Sequence, residues 1–128
     1  MILGIDLGKK TTGLAISEGR FASQYKTISH ESLKQAVEKI LKEIDVLGAE
    51  LIVLGYVEGK IKSYFEKFRD IISKQRPNIK VIMEEESLTS RQARQTMIKL
   101  HIPQKKKSEK EHSLAASIIL QSYLDSND

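Results

Sequence analysis

The chain has 128 residues, enough for one domain with its own core, and we expect a single domain over residues 1–128. It contains no cysteine, which excludes disulfide bonds and thiolate metal sites. The 21 Lys and Arg residues against 17 Asp and Glu residues give a net charge of +4, which is compatible with a polyanionic partner but does not by itself indicate one.

Three strands are predicted in the N-terminal part of the chain. Apolar residues alternate or run together over residues 2–6, 12–17 and about 21–28, with Gly, Lys and Thr between the runs. This pattern is typical of antiparallel strands joined by hairpins. The first apolar run is broken by Asp6 and then by two lysines, so it resembles neither a signal peptide nor a membrane span, and no membrane partner is expected.

Helices and strands alternate in the middle of the chain. Apolar residues recur at helical spacing over about residues 31–47 and again over about 60–74, and each set predicts an amphipathic helix. The short run at 51–55 is apolar throughout, as in a buried strand of a parallel pair, and a further strand is predicted at 80–83. Right-handed crossovers would place both strands parallel to the first strand.

Two helices are predicted in the C-terminal third. Residues 89–92 have the form of a capping box, so a helix is expected from there to about Leu100. Residues 103–107 are predicted to form an exposed loop, and a second capping box at 108–111 opens a last helix ending near Leu124. The expected fold is α/β, with a mixed five-stranded sheet of three antiparallel and then two parallel strands, flanked by helices.

Asp6 is the most informative residue of the first hairpin. An ionised carboxylate in a mostly buried strand is costly unless something cationic compensates it. A divalent metal ion is a common compensator where the chemistry concerns phosphate. An Asp that caps its own turn would give the same local sequence, so the hairpin alone leaves both interpretations open.

Four segments together resemble the YqgF (RuvX) family of the RNase H-like superfamily of nucleases. They are the opening hairpin (4–8 and 13–17), the buried strand (51–55), the motif at 85–90 and the Ser-Leu-Ala-Ala stretch at 113–116. These segments span nearly the whole chain in the order and spacing typical of that family. The resemblance implies an RNase H-like fold and metal-dependent hydrolysis of phosphodiester bonds.

Two positions depart from the usual pattern of that family. The motif at 85–90 usually reads Asp-Glu-Arg-Leu-Thr-Thr, and this chain has Ser87 in place of the Arg. The family usually carries Asp before the Ser-Leu-Ala-Ala stretch, where this chain has His112. The first change removes a cation that could contact phosphate, and the second alters a metal-ligand position.

The resemblance implies a metal centre built from residues far apart in sequence. Asp6 and Glu86 are the predicted catalytic carboxylates and metal ligands, because Mg²⁺ and Mn²⁺ prefer oxygen ligands. His112 is the predicted third member, either as a ligand that would favour Mn²⁺ or as a proton carrier near neutral pH. Glu109 could replace the missing acid, and Glu58 is a competing donor beyond the fourth predicted strand. Solvated acids and a hydrogen-bonded core histidine are the structural alternatives.

The last helix is expected to bring His112 to the sheet. His112 shares a helical face with Ala116, Ile119 and Tyr123, and this apolar face should pack on the strands. Small residues at 115 and 116 would allow a close approach. His112 would then lie at the start of the helix and point at the strand that bears Asp6.

Basic residues accompany all three predicted ligand positions. They are Lys9, Lys10, Arg91, Arg94, Lys105, Lys106 and Lys107. Contacts from such residues to phosphates give affinity without sequence specificity, although charge runs are also typical of a solvated surface. The expected partner is therefore nucleic acid, either pre-rRNA or branched DNA.

Three functional hypotheses follow from the resemblance. The first is a cytoplasmic nuclease that processes the 5′ end of pre-16S rRNA. The second is a Holliday-junction resolvase, which would need a symmetric dimer, and the sequence leaves monomer and homodimer open. The third is a nucleic-acid-binding protein without catalysis, because of His112 and Ser87. The hairpin also resembles one lobe of actin-like ATPases and sugar kinases, but the chain is too short for their two lobes.

Overall fold

Short apolar runs build a five-stranded sheet with helices packed on both faces. The computed structural model describes residues 1–86 and 104–126, and for 104–111 it describes the backbone alone. The strands are β1 Ile2–Leu7, β2 Thr11–Ser17, β3 Ser23–Ser29, β4 Leu51–Tyr56 and β5 Lys80–Glu85. The helices of the described residues are α1 Leu33–Leu47, α2 Lys62–Gln75 and α3 Gln104–Ser126.

The strand order across the sheet is β3-β2-β1-β4-β5. The pairs β1–β2 and β2–β3 are antiparallel, whereas β4 pairs with β1 and β5 pairs with β4 in parallel. This arrangement confirms the predicted mixed sheet of three antiparallel and two parallel strands. The strand that carries Asp6 is therefore central, and Asp6 lies next to its carboxyl end.

Apolar side chains cover both faces of this sheet. Leu3, Ile5 and Leu7 pack with α1 and α2 in the larger core. On the opposite face, Ala15 and Val53 pack with α3 in the smaller core. Because side chains alternate along a strand, the residues between the three apolar positions of β1 point to the α3 face, Asp6 among them.

Glycines on the α3 face let this helix approach the strands closely. A Cβ on Gly13 would overlap the backbone carbonyl of His112, and a Cβ on Gly55 would lie 2.5 Å from Cδ1 of Ile119. Ala115 and Ala116 of α3 are fully buried, as expected from the predicted close approach. The helix axis therefore lies nearer to the sheet than larger side chains would allow.

Helix α3 begins earlier than the sequence predicts. Residues 104–107 are helical, so the prediction of an exposed loop there is wrong, and the second capping box at 108–111 lies inside the helix. Gln, Lys and Glu are good helix formers and no residue of 104–111 breaks a helix, so the helix extends through the apparent capping signal. His112 consequently lies about two turns inside α3 rather than at its start.

The other described elements begin and end within about two residues of their predicted positions. The helix predicted from the capping box at 89–92 to about Leu100 lies outside the described residues. Within the described part of the chain, no helix combines the length and the apolar character needed to cross a membrane.

Candidate active site

Asp6 is a buried carboxylate next to the carboxyl end of the central strand. Its fractional exposure is 7%, and Gly13 is its partner in the β1–β2 register. Its Oδ2 lies 3.0 Å from Nδ1 of His112. Because an ionised carboxylate only accepts hydrogen bonds, Nδ1 of His112 donates to it. The prediction that His112 points at the strand bearing Asp6 is confirmed.

This hydrogen bond determines how His112 presents its second nitrogen. With the proton on Nδ1, Nε2 of a neutral ring keeps its lone pair. The atom between the two nitrogens, Cε1, would lie 3.6 Å from a Cβ on Gly8, so the ring lies against the β1–β2 turn. A histidine held by a carboxylate at one nitrogen is the usual arrangement of a metal ligand and also suits a general base.

The packing of α3 on the sheet brings His112 to Asp6, although the two residues are 106 positions apart in the sequence. Ala116 and Ile119, from the predicted apolar face, are buried in the smaller core. Next to His112, the hydroxyl of Ser113 donates to Oε1 of Gln24 on β3 at 2.8 Å. Apolar packing and this hydrogen bond together fix the rotation of α3 about its axis, and with it the direction of the His112 side chain.

Glu86 lies one residue beyond β5, on the same sheet face as Asp6. Its N–H donates to the carbonyl of Tyr56 at 2.6 Å, so the parallel ladder continues to this residue. Glu84 accepts a hydrogen bond from the hydroxyl of Ser122 on α3 at 3.5 Å, which places Glu84 on the α3 face. Residues two apart on a strand share a face, and β1 and β5 lie about 10 Å apart because one strand separates them.

Asp6 and His112 together offer an oxygen and a nitrogen, donors that fit Mn²⁺ and Mg²⁺. Among the side chains that the structure describes, no group of three His, Cys, Asp or Glu could hold a metal ion. The side chain of Glu109 lies outside the described part, so the predicted ligand set of Asp6, Glu86, His112 and Glu109 stays a prediction. The competing donor Glu58 is exposed and forms an ion pair with Lys62 at 3.2 Å.

Comparison with known proteins supplies the family. The chain matches the family model described as "RuvX: Holliday junction resolvase" over residues 1–126. It belongs to the RuvX family. A relative from Natranaerobius thermophilus, named "Putative pre-16S rRNA nuclease", is 32% identical over 97% of this chain and 93% of its own length. The resemblance inferred from the sequence is confirmed.

Two solved structures similar to this RuvX family member carry the Holliday junction in their names. The fowlpox virus Holliday junction resolvase is 16% identical, with a TM-score of 0.64 and coverage of 99% of both chains. T. thermophilus RuvC, in complex with a Holliday junction substrate, is 12% identical, with a TM-score of 0.60 and coverage of 98% of this chain and 94% of its own. At these identities the similarity shows the fold, and the predicted RNase H-like fold is confirmed.

Of the predicted nucleic-acid contacts in this RuvX chain, the structure describes the lysines of the β1–β2 turn. Lys9 and Lys10 are exposed and follow Asp6 by three and four residues. Nζ of Lys10 lies 3.0 Å from Oε2 of Glu31. Arg91 and Arg94 lie outside the described residues, as do the side chains of Lys105, Lys106 and Lys107.

A polar pair that no sequence pattern predicts lies beneath the same turn. Thr12 and His30 are buried, and Oγ1 of Thr12 lies 2.7 Å from Nε2 of His30. Burial lowers the pKa of His30, and the Lys39 cation lowers it further. The two residues lie 18 positions apart on different strands or strand ends, and no local pattern of this RuvX sequence pairs them.

Proposed function

We propose that this RuvX family member is a metal-dependent nuclease that processes the 5′ end of pre-16S rRNA in the cytoplasm. The observation that carries the proposal is the buried Asp6 with His112 at the end of the central strand. An Asn would fit the same space without the cost of burying a charge, so packing alone does not account for an acid here. The name of the Natranaerobius relative supports the substrate class.

Hydrolysis joins a water oxygen to phosphorus, breaks the bond from phosphorus to the leaving oxygen, and moves a proton from the water to that oxygen. Asp6, Glu86, His112 and Glu109 would hold divalent cations, which neutralise charge on the attacking and leaving oxygens. Asp6 projects from the central strand, and a strand in the middle of a sheet is a rigid element on which to hold a carboxylate. With Nδ1 of His112 bound to Asp6, Nε2 would take one of two roles. It would ligate a cation or, where His112 is not a ligand, accept the proton of the attacking water.

A cleavage assay tests this proposal directly. The purified chain would be incubated with Mn²⁺ or Mg²⁺ and two labelled substrates, an RNA with the immature 5′ end of 16S rRNA and a four-way DNA junction. We expect cleavage of the RNA at a defined 5′ position and no cleavage in EDTA. Binding of the RNA without cleavage in either metal would contradict the proposal and favour the non-catalytic binding protein.

A junction resolvase is the second candidate, because the family description and the similar solved structures name Holliday junctions. Paired symmetric cuts across a junction need two active sites and hence a symmetric dimer. Sedimentation of the chain with and without junction DNA separates the two candidates. A dimer that makes paired cuts in the DNA and leaves the RNA intact would favour the resolvase.

Binding to nucleic acid should weaken with salt, and the turn lysines should account for part of that dependence. We expect the slope of log Kd against log salt to fall by roughly 1.4–1.8 in the double variant Lys9→Gln/Lys10→Gln, since each phosphate contact contributes about 0.7–0.9. Fluorescence anisotropy at several KCl concentrations measures it. Lys74→Gln, on the exposed last turn of α2, is the matched control and should leave the slope unchanged.

His112→Asp restores the residue that is usual in the family and should test the metal centre without relying on activity. Two carboxylates side by side repel each other, so we expect the metal-free variant to melt about 4 °C or more below the wild type. Mn²⁺ should reverse most of this loss, because a bound cation neutralises both acids. His112→Asn is the neutral control and should respond little to Mn²⁺. A metal response equal in the two variants would count against a cation at this position.

A further inference from the structure

A buried polar pair lies beneath the β1–β2 turn, on the sheet face opposite His112. Thr12 is fully buried and pairs with Leu7 in the β1–β2 register, whereas His30 is 3% exposed and follows β3. Oγ1 of Thr12 lies 2.7 Å from Nε2 of His30 and accepts the N–H of Gly8 at 3.4 Å. These hydrogen bonds connect the end of β3, through β2, to the residue after β1.

The same turn is held at two further points. The backbone N–H of His30 donates to the carbonyl of Lys10 at 2.9 Å, and the hydroxyl of Tyr64 donates to the carbonyl of Gly8 at 3.3 Å. A Cβ on Gly8 would overlap the carbonyl of Thr11, so the turn lies tightly against β2. The segment 8–10 is thus fixed from β2, β3 and α2 while its two lysines are exposed.

We propose that Thr12 and His30 are positioning residues for nucleic-acid binding. They fix the turn at 8–10 so that Lys9 and Lys10 present their ammonium groups to the phosphates beside Asp6. The proposal takes its substrate from the nuclease function proposed above. The order of the turn itself can be measured without any substrate.

The chemistry of the pair supports a role beyond filling space. Two polar groups at the edge of an apolar core lose hydration that one mutual hydrogen bond replaces only in part. Among the described residues, Nδ1 of His30 is buried and makes no hydrogen bond. Burial lowers the pKa of His30, with the cations of Lys39 and Lys10 acting in the same direction and Glu31 against them. The ring is therefore neutral at pH 7, and its hydrogen bond to Thr12 needs no charge.

Two variants of Thr12 test the proposal. Thr12→Val removes the hydroxyl at nearly constant volume, and Thr12→Ser retains the hydroxyl. We expect hydrogen exchange at the Gly8 amide to be about tenfold faster in Thr12→Val and close to wild type in Thr12→Ser. The KM for the nucleic-acid substrate should rise about fivefold in Thr12→Val, with kcat changed less than about twofold, because the turn contacts the substrate and Asp6 stays in place.

His30→Gln and His30→Leu form a second matched pair. Gln can place an amide nitrogen near the position of Nε2, so it should preserve protection of the Gly8 amide, whereas Leu should lose it. In the wild type, His30 binds a proton more readily in the unfolded state than in the native state, because its native pKa is lowered. The free energy of unfolding should therefore fall as pH drops below about 6.5. His30→Gln should lose this part of the pH dependence, as followed by urea unfolding.

Gly8 exchange that is equal in Thr12→Val and the wild type would overturn the proposal, whatever substrate the chain cleaves. Faster exchange with an unchanged KM in a chain that cleaves RNA would also overturn it, because the order of the turn would then not affect binding. If the wild type cleaves no substrate, the proposed nuclease function is rejected, but the positioning role of Thr12 and His30 can still be tested. The Kd for the same RNA then replaces KM as the measure of how the order of the turn affects binding.

Discussion

Asp6→Asn should lower the rate of phosphodiester cleavage by about a thousandfold or more while leaving the fold and the affinity for nucleic acid nearly unchanged. Asn has the shape of Asp and its carbonyl can still accept from Nδ1 of His112. It removes the negative charge that would bind a divalent cation at this buried position. Single-turnover cleavage at saturating Mn²⁺ measures the rate, and a urea midpoint checks the fold.

Asp70→Asn is the matched control for this prediction. Asp70 is exposed on α2, beside Arg69, so the same chemical change should leave cleavage at the wild-type rate. Near-normal cleavage by Asp6→Asn would remove Asp6 from the catalytic centre, and the proposed function would lose the observation that carries it. Loss of RNA binding together with cleavage would point instead to a role of Asp6 in the fold.

Gly13→Ala should destabilise the protein by about 3 kcal/mol, because it forces α3 away from the sheet. The new Cβ would overlap the carbonyl of His112 and lie 2.6 Å from the backbone nitrogen of Ser113. Backbone atoms cannot rotate out of the way, so the helix must shift as a body. The shift would also lengthen the contact between Asp6 and His112, so cleavage should fall along with the free energy of unfolding.

Gly55→Ala is the comparison for Gly13→Ala on the same sheet face. Its Cβ would lie 2.5 Å from Cδ1 of Ile119, the flexible end of a side chain that can change rotamer. We expect a loss of about 1 kcal/mol, measured as the free energy of unfolding in urea. Equal losses at the two positions would contradict the close approach of the α3 backbone to Gly13.

The spacing of apolar residues along the chain predicted the strands and the helices α1 and α2 correctly, because each of these elements must bury at least one face. The unbroken apolar run in β4 corresponds to a strand covered by α1 and α2 on one side and by α3 on the other, so both of its faces are buried. In α1, the apolar positions at helical spacing include Val37, Ile40 and Ile44, all of them buried. These predictions succeeded because burial is decided by local pattern once the fold class is known.

The predicted start of the last helix was wrong because the helix propensity of the preceding residues outweighed the capping signal. The Ser108 capping box predicts a helix start, but good helix formers upstream carry α3 back to Gln104. The Thr12–His30 pair has no local signal at all, since each residue is ordinary at the end of a strand. Hydrogen bonds between such residues depend on strand register, which the apolar pattern does not specify residue by residue.

The sequence by itself determined that Asp6 lies in a buried strand, because the apolar residues around it must be covered. Only the tertiary structure decided that Nδ1 of His112 meets this carboxylate. The physical reason is distance. A contact of 3.0 Å between residues 106 positions apart depends on how closely α3 packs, and that packing is set by the missing side chains of Gly13 and Gly55.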